Sequence, residues 1–226
     1  MDDSLNTKQS FHVVLIKPSH YDDEGYVIQW GRPALPSNSL AALNALVMDC
    51  VARQVLGKNV PIHVEAYDET HFTIPTKRII KRIRKGLGGI IGFVGVQTNQ
   101  FPRSLDLGKV FLQVGIPVVI GGFHVSGCYS MLKEMPPDIQ QALADGFTLV
   151  AGEAEGHLET ILKDAYEKRL KSSYNFLNNT PALEGAPFPF LPARLVKKTF
   201  RRLSSFDAGR GCPFQCSFCT IINVQG

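Results

Sequence analysis

Three cysteines, Cys212, Cys216 and Cys219, lie within the eight residues "CPFQCSFC" of this 226-residue sequence. Thiolates bind metal ions, and in a reducing compartment clustered cysteines are more often metal ligands or catalysts than disulfides. The opening segment, "MDDSLNTKQS", is polar and acidic and does not read as a secretory leader. We therefore expect a cytoplasmic protein whose three clustered thiols bind a metal centre.

The C-x3-C-x2-C spacing leaves two simpler explanations open. Positions i, i+4 and i+7 share one face of a helix, so the cysteines could be buried apolar residues, although Gly209, Gly211 and Pro213 favour a bent loop. A structural zinc ion is the second explanation, but zinc usually takes four protein ligands. A [4Fe–4S] cluster held by three cysteines instead of the usual four would leave one iron open for a substrate or cofactor. We favour this iron–sulfur interpretation.

The motif resembles the C-x3-C-x-aromatic-C signature of radical S-adenosylmethionine (SAM) enzymes, and the preceding "GRG" is also similar to that family. The resemblance implies that Cys212, Cys216 and Cys219 bind a [4Fe–4S] cluster whose open iron chelates SAM. It also implies that Phe218 packs near the adenine of SAM. In that family, an electron from an external donor cleaves SAM to a 5′-deoxyadenosyl radical, which removes hydrogen from an unactivated C–H bond.

The elements that must position this motif follow from the hydrophobic pattern. Strand-like and helix-like segments alternate from residue 11 to about residue 170, which predicts five βα units. Nearly continuous apolar strands such as "GGIIGFVGVQ" are typical of parallel sheets covered on both faces. We expect a doubly wound, flavodoxin-like α/β domain with five parallel strands in the order 2-1-3-4-5 over residues 10–171. A linker over 172–195 and the start of a second domain over 196–226 would follow.

Three phrases of the first domain resemble the cobalamin-binding class of radical SAM enzymes: "VGVQTNQFPRSLDL", "PVVIGGFHVSG" and "VAGEAEG". The resemblance implies a Rossmann-like cobalamin-binding domain with its ligand beyond the carboxyl ends of the strands. Glycines there would let a flat macrocycle or its nucleotide tail approach the backbone closely. The candidate contacts are Thr98, Gly121, Gly122, His124, Ser126 and Glu153.

Each candidate contact also has a structural explanation. The glycines could simply turn the chain after a strand, His20 and His124 could be satisfied loop residues, and Glu153 and Glu155 could cap the last helix. The first loop, "SHYDDEGY", lacks the D-x-H-x-x-G motif whose histidine ligates cobalt in other cobalamin proteins. If cobalamin binds, we expect it to bind without a protein histidine ligand.

Composition and charge exclude several classes of protein. The chain is 44% hydrophobic with a net charge of +4, and its apolar runs are too short to cross a bilayer, so we expect no membrane partner. In the basic stretch "TKRIIKRIRKGLG", the apolar positions Ile79, Ile80, Ile83 and Leu87 have helical spacing. This indicates a helix with a solvated basic face rather than a nucleic-acid site. Cys50 and Cys128 lie far from the motif, and we expect both to be buried apolar residues.

Only seven residues follow Cys219, whereas a complete barrel takes about 250 residues. We therefore expect a fragment whose last twenty or so residues are exposed or poorly ordered. The leading hypothesis is the N-terminal portion of a radical SAM enzyme that methylates or rearranges an unreactive carbon of a small-molecule substrate. Whether this chain itself is catalytic stays open. The alternatives are a non-catalytic cobalamin-binding-like module and a zinc-stabilised structural protein.

Overall fold

The structure is a computed structural model of the chain. It describes residues 9–32, 35–179, 181, 184–200, 210–214, 216 and 218–225.

Six parallel strands form one sheet in the order β2-β1-β3-β4-β5-β6. Their bounds are β1 Phe11–Lys17, β2 Ile62–Asp68, β3 Gly89–Phe93, β4 Val118–Gly121, β5 Thr148–Ala151 and β6 Ser173–Asn175. The parallel sheet and the order of its first five strands confirm the prediction. The predicted count of five is wrong, because Ser173–Asn175 pairs with β5 although the sequence analysis assigned it to the linker.

Helices cover both faces of the sheet. Their bounds are α1 Asn38–Ala52, α2 Thr76–Lys85, α3 Phe101–Leu112, α4 Phe123–Met131, α5 Pro137–Ala144, α6 Leu158–Tyr166, α7 Ala193–Val196 and α8 Thr220–Val224. Most of the segment "GGFHVSG", residues 121–127, forms the first turns of α4. None of the helices formed by the described residues combines the length and apolar character needed to cross a lipid bilayer.

Successive side chains of a strand point to opposite faces, so each strand contributes to two apolar cores. On one face, Ile16, Ile91 and Ile120 pack against side chains from α2, α3, α4 and α5. On the other, Leu15, Ile90 and residues of α1 and α6 form the second core. The central strands are therefore buried on both faces, as their continuous apolar sequences predict.

Local sequence explains how α1 and α2 begin, end and pack. Ser37 caps α1, as expected, since its hydroxyl accepts a hydrogen bond from the Leu40 N–H at 3.2 Å. In α2, Ile79 and Ile83 are buried and the basic side chains lie between them. Leu87, which has the helical spacing of these isoleucines, lies beyond the end of α2, and its side chain is 45% exposed.

Cys50 and Cys128 are buried in the two cores, as expected. Burial raises the pKa of the Cys50 thiol to about 11 and also raises that of Cys128. Both therefore stay protonated and behave as small apolar side chains.

After β6, α7 packs back on the sheet edge. Its Arg194 guanidinium donates to the carbonyl oxygen of Ala66 and lies 4.9 Å from the ring centroid of Tyr67. The expected start of the second domain, residues 196–226, falls partly on residues 201–209, which lie outside the described residues.

Candidate functional site

A cavity of about 430 Å³ lies over one face of the sheet, near the carboxyl ends of β1, β3, β4 and β5. The first turns of α1 and α6 form its walls, and its lining is predominantly apolar. Ligands of open α/β sheets bind at this edge, where the strand order reverses between β1 and β3. The cavity therefore occupies the place that the fold makes available for a ligand.

Two of the strand positions that form the floor of the cavity are glycines, which leave space above the sheet. Gly92 of β3 and Gly121 of β4 both line it. A Cβ built at Gly121 would meet only Val150, at an ordinary distance of 3.6 Å, and one built at Gly92 would lie 3.3 Å from Leu15. The surrounding side chains therefore leave room for a small side chain at Gly121, and at Gly92 they would have to shift only slightly. A glycine inside a strand is also typical of close approach by a ligand.

Gly122 is a glycine for a different reason. Its φ of 145° is one that residues with side chains rarely adopt, and a Cβ there would lie 2.1 Å from the Val96 nitrogen. The loop after β3 crosses the loop after β4 at this point, and the Val96 N–H donates to the Gly121 carbonyl oxygen at 3.1 Å. The close approach of the two loops therefore requires a glycine at position 122. This position also lines the cavity.

One side of the cavity is lined by an ion-pair cluster between the β5–α6 loop and the segment that precedes the thiols. The Arg210 guanidinium pairs with the carboxylates of Glu153 and Glu155. The Gln225 amide donates to Oε1 of Glu153 at 2.7 Å. This cluster connects the cavity to the residues that immediately flank Cys212.

The charges of this cluster lie in a poorly solvated place. Burial raises the pKa of the Glu155 carboxyl and lowers the pKa of the Arg210 guanidinium, since low polarity favours the neutral form of each group. Their ion pair opposes both tendencies. Removing one partner would therefore leave a charge that is costly to bury.

The end of the described chain packs on the domain rather than extending into solvent. Val224 of α8 is 7% exposed, and Ile221, Val224 and Gln225 line the cavity mouth. The approach is close, because a Cβ at Gly127 of α4 would lie 3.0 Å from Thr220. We expected the last twenty or so residues to be exposed or poorly ordered; Phe214 and Phe218 are exposed, whereas Val224 of α8 is buried. α8 packs against the domain because it presents an apolar face to α4 and to the cavity.

The thiols themselves lie on the outer side of this segment. Cys216 is exposed, Cys212 and Cys219 are half-buried, and Phe218 is 83% exposed. The Cys219 N–H donates to the Cys216 carbonyl oxygen at 3.0 Å, which forms the bent loop that Gly211 and Pro213 predict. The three sulfur atoms do not form a group within metal-ligand reach of one another in the part of the chain that the structure describes. Their role as ligands stays a prediction.

Thr98 and His124, two of the predicted cobalamin contacts, do not line the cavity. His124 is buried against Phe101, with Nδ1 at 3.3 Å from the Thr98 hydroxyl and Nε2 at 3.1 Å from the Asp138 carboxylate. These contacts satisfy its ring within the fold. His20 does not line the cavity either.

Four predicted residues do line it: Gly121, Gly122, Ser126 and Glu153. The Ser126 hydroxyl accepts a hydrogen bond from the Gly152 N–H at 3.0 Å, which fixes the loop after β5 against α4. The sequence analysis missed Gly92, Ala42 and Arg210. Gly92 could have been found, because it interrupts the apolar run of β3; Arg210 could not, because its partners lie 55 residues or more away.

Two curated proteins of Chlorobaculum tepidum are similar to this chain in sequence. Bacteriochlorophyllide d C-8(2)-methyltransferase is 30% identical over 172 residues, which make up 73% of this chain and 33% of that protein. Bacteriochlorophyllide d C-12(1)-methyltransferase is 31% identical over 111 residues, or 48% of this chain and 22% of that protein. No family model and no solved structure matches the chain. The chain thus spans about a third or less of the length of two methyltransferases to which it is distantly similar.

Proposed function

We propose that this chain is the N-terminal portion of a radical SAM methyltransferase that binds cobalamin in its α/β domain and a [4Fe–4S] cluster at Cys212, Cys216 and Cys219. The observation that carries the proposal is the cavity at the carboxyl edge of the sheet. It is lined by Arg210, two residues before the first cysteine of the motif, and Arg210 pairs there with Glu155. The names of the two relatives support methyl transfer as the reaction class.

The lining of the cavity fits part of a cobalamin molecule. Its volume of about 430 Å³ is in the range of small-molecule sites and suits a heterocyclic nucleotide tail better than the whole macrocycle. Gly92 and Gly121 would leave room for a flat ring system against the strands. Leu158 and Ile161 of α6 would supply apolar contacts on one side.

The donor set of the motif fits an iron–sulfur cluster, because three thiolates with no fourth cysteine nearby leave one coordination position open. When bound, such a cluster with SAM supplies a 5′-deoxyadenosyl radical, and cobalamin supplies the methyl group. The residues of this chain would hold these groups, exclude water from the cavity and fix the thiol loop beside its mouth through Arg210. The substrate is a small molecule with an unreactive carbon, and the electron comes from an external donor.

Cobalamin binding is tested by anaerobic titration of the purified chain with hydroxocobalamin, followed by its visible spectrum and by equilibrium dialysis. We expect saturable binding that Gly121→Leu weakens at least about tenfold, since the new side chain enters the cavity. Gly31→Leu is the matched control, because Gly31 lies outside the cavity and a Cβ there meets nothing within 4 Å. Equal binding by wild type and Gly121→Leu, or no binding by either, would contradict the cobalamin assignment.

Cluster binding needs a separate experiment. The chain is reconstituted anaerobically with iron and sulfide, reduced, and examined by electron paramagnetic resonance before and after SAM is added. We expect a cubane signal that SAM changes and that Cys216→Ala abolishes. Tight zinc binding without such a signal would favour the zinc-stabilised structural protein instead. Cobalamin binding without any cluster would favour a non-catalytic binding module.

A further inference from the structure

A second group of metal-ligating side chains lies at the opposite, amino end of the sheet, far from the cavity and the thiols. It consists of His12 of β1 with His63 and Glu65 of β2, and one ligand atom from each lies within 4.8 Å of the other two. The function proposed above uses none of these residues. They are the single group of this kind that the described part of the chain contains.

The strand register brings the three side chains together. His12 and His63 are direct partners across the parallel β1–β2 pair, so their side chains point to the same face. Glu65 is two residues beyond His63 and therefore shares that face. The two imidazole rings lie 5.2 Å apart, and Nε2 of His63 is 3.7 Å from Oε1 of Glu65.

The surrounding residues fix this arrangement. His12 is fully buried, Glu65 is 9% exposed and His63 is half-buried, so the group opens to solvent on the side of His63. The end of α2 closes over the His12 ring, since a Cβ at Gly86 would lie 2.8 Å from its Nε2. A glycine at this position is therefore what admits an imidazole beneath the helix.

Glu65 is held with one oxygen turned toward the histidines. The Tyr67 hydroxyl donates to Oε2 at 2.6 Å. Oε1 is buried and has no hydrogen-bond partner among the described residues, although Nη1 of Arg82 lies 2.9 Å away outside hydrogen-bonding geometry. Metal-binding carboxylates are commonly held by such an outer-shell hydrogen bond to one oxygen, while the other oxygen faces the ion; here Oε1 faces the histidines and the Arg82 guanidinium.

We propose that His12, His63 and Glu65 bind a divalent transition-metal ion, with Zn²⁺ as the best-fitting occupant. Two imidazoles and one carboxylate are a known zinc ligand set, and they leave a fourth position for water. The ion takes the place of the Arg82 guanidinium beside Oε1, and Arg82, whose side chain is 39% exposed, moves toward solvent. Such an ion joins the edge strand β2 to β1 beneath the end of α2.

The test must separate this site from the three thiols, which also bind zinc. We therefore use the full chain with Cys212, Cys216 and Cys219 all replaced by Ala, and titrate it with Co²⁺ as a visible probe for zinc sites. One Co²⁺ per chain is expected, with d–d absorption, no thiolate charge-transfer band, and displacement by Zn²⁺. Saturating Zn²⁺ is also expected to raise the melting temperature.

His63→Ala is the informative variant, because His63 is half-buried on an edge strand and its loss does not open the core. It is expected to weaken Co²⁺ binding at least about 100-fold, more than the loss of an outer-shell partner would. Glu65→Gln keeps the shape of the site and is expected to weaken binding as well. His157→Ala, a histidine outside the group, is expected to leave the affinity unchanged. Failure of the cysteine-free chain to bind Co²⁺, or equal affinity in His63→Ala, overturns the proposal.

Discussion

Adjacent glycines at the end of β4 have different physical roles. Gly122 has a φ of 145° and faces the backbone of Val96, whereas Gly121 has ordinary space around its Cα and faces the cavity. The first is required by how the chain crosses itself, and the second leaves room for a ligand. Two residues that look equivalent in the sequence can therefore be separated by experiment.

We predict that Gly122→Ala lowers the free energy of unfolding by about 2–5 kcal/mol, because it adds backbone strain and a clash with Val96. Gly121→Ala is expected to change stability by less than about 1 kcal/mol, since its Cβ meets only ordinary contacts. Urea unfolding of both variants beside the wild type measures the difference. Equal destabilisation by the two substitutions would show that the backbone at position 122 does not require glycine more than position 121 does.

At the scale of elements, β2 and α2 are joined by the ion pair between Glu65 and Arg82. Within β2, the Tyr67 hydroxyl donates a hydrogen bond to the same Glu65 carboxylate. Burial works to raise the pKa of Glu65, but Tyr67 and Arg82 outweigh it, so this pKa lies below its ordinary value. A lowered pKa means that the folded state favours the carboxylate. The resulting stability is present at neutral pH and is lost as the pH falls through the lowered pKa.

We therefore predict that, in the presence of a chelator, Glu65→Gln is less stable than the wild type at pH 7 by about 1–3 kcal/mol. This difference in the free energy of unfolding should become smaller below about pH 4, where the wild-type carboxylate becomes protonated. Thermal unfolding of both proteins between pH 3 and pH 8 measures it. A gap that stays constant over this range would mean that the charge of Glu65 does not contribute.

Sequence patterns predict most of these elements because their signals are local. The apolar runs of β3 and β4, the Ser37 cap and the spacing of Ile79 and Ile83 all act within a few residues. The pattern missed β6, whose sequence "SYN" is too short for a periodic signal and is held by pairing with β5. The pattern also failed to predict α4, because two glycines directly after a strand usually indicate a turn.

The candidate site was predicted less completely than the elements. Gly121, Gly122, Ser126 and Glu153 could be placed near the switch point, because parallel strands bring their carboxyl ends to one edge. The contacts of His124 with Asp138 and of Arg210 with Glu155 depend on tertiary packing. No local pattern encodes such pairings, so only the structure separates the cavity residues from the neighbouring Thr98–His124 pair.

For the whole molecule, the Arg210 cluster decides whether the segment with the thiols stays attached to the α/β domain. The cluster is the charged part of that attachment, and α8 is the apolar part. Since both contacts line the cavity, the shape of the cavity and the position of the thiol loop should change together.

We predict that Arg210→Ala increases amide hydrogen exchange in residues 220–225 and in the loop at residues 152–156, while exchange in the central strands stays unchanged. Hydrogen exchange with mass spectrometry measures this directly. Arg169→Ala is the matched control, because Arg169 also forms ion pairs but lies outside the cavity. Unchanged exchange at α8 in Arg210→Ala would show that the cluster does not hold the segment.

The strand order has a consequence for how the protein is made. After β1 and β3 have paired, β4, β5 and β6 each join the same growing edge in the order of their synthesis. Each new βα unit thus meets an already formed template as it leaves the ribosome, which suits vectorial folding from the N-terminus. β2 adds to the other edge, and its partner β1 also precedes it in the chain. The sheet can therefore be assembled before the cysteine loop leaves the ribosome, so the thiols would emerge beside a finished domain.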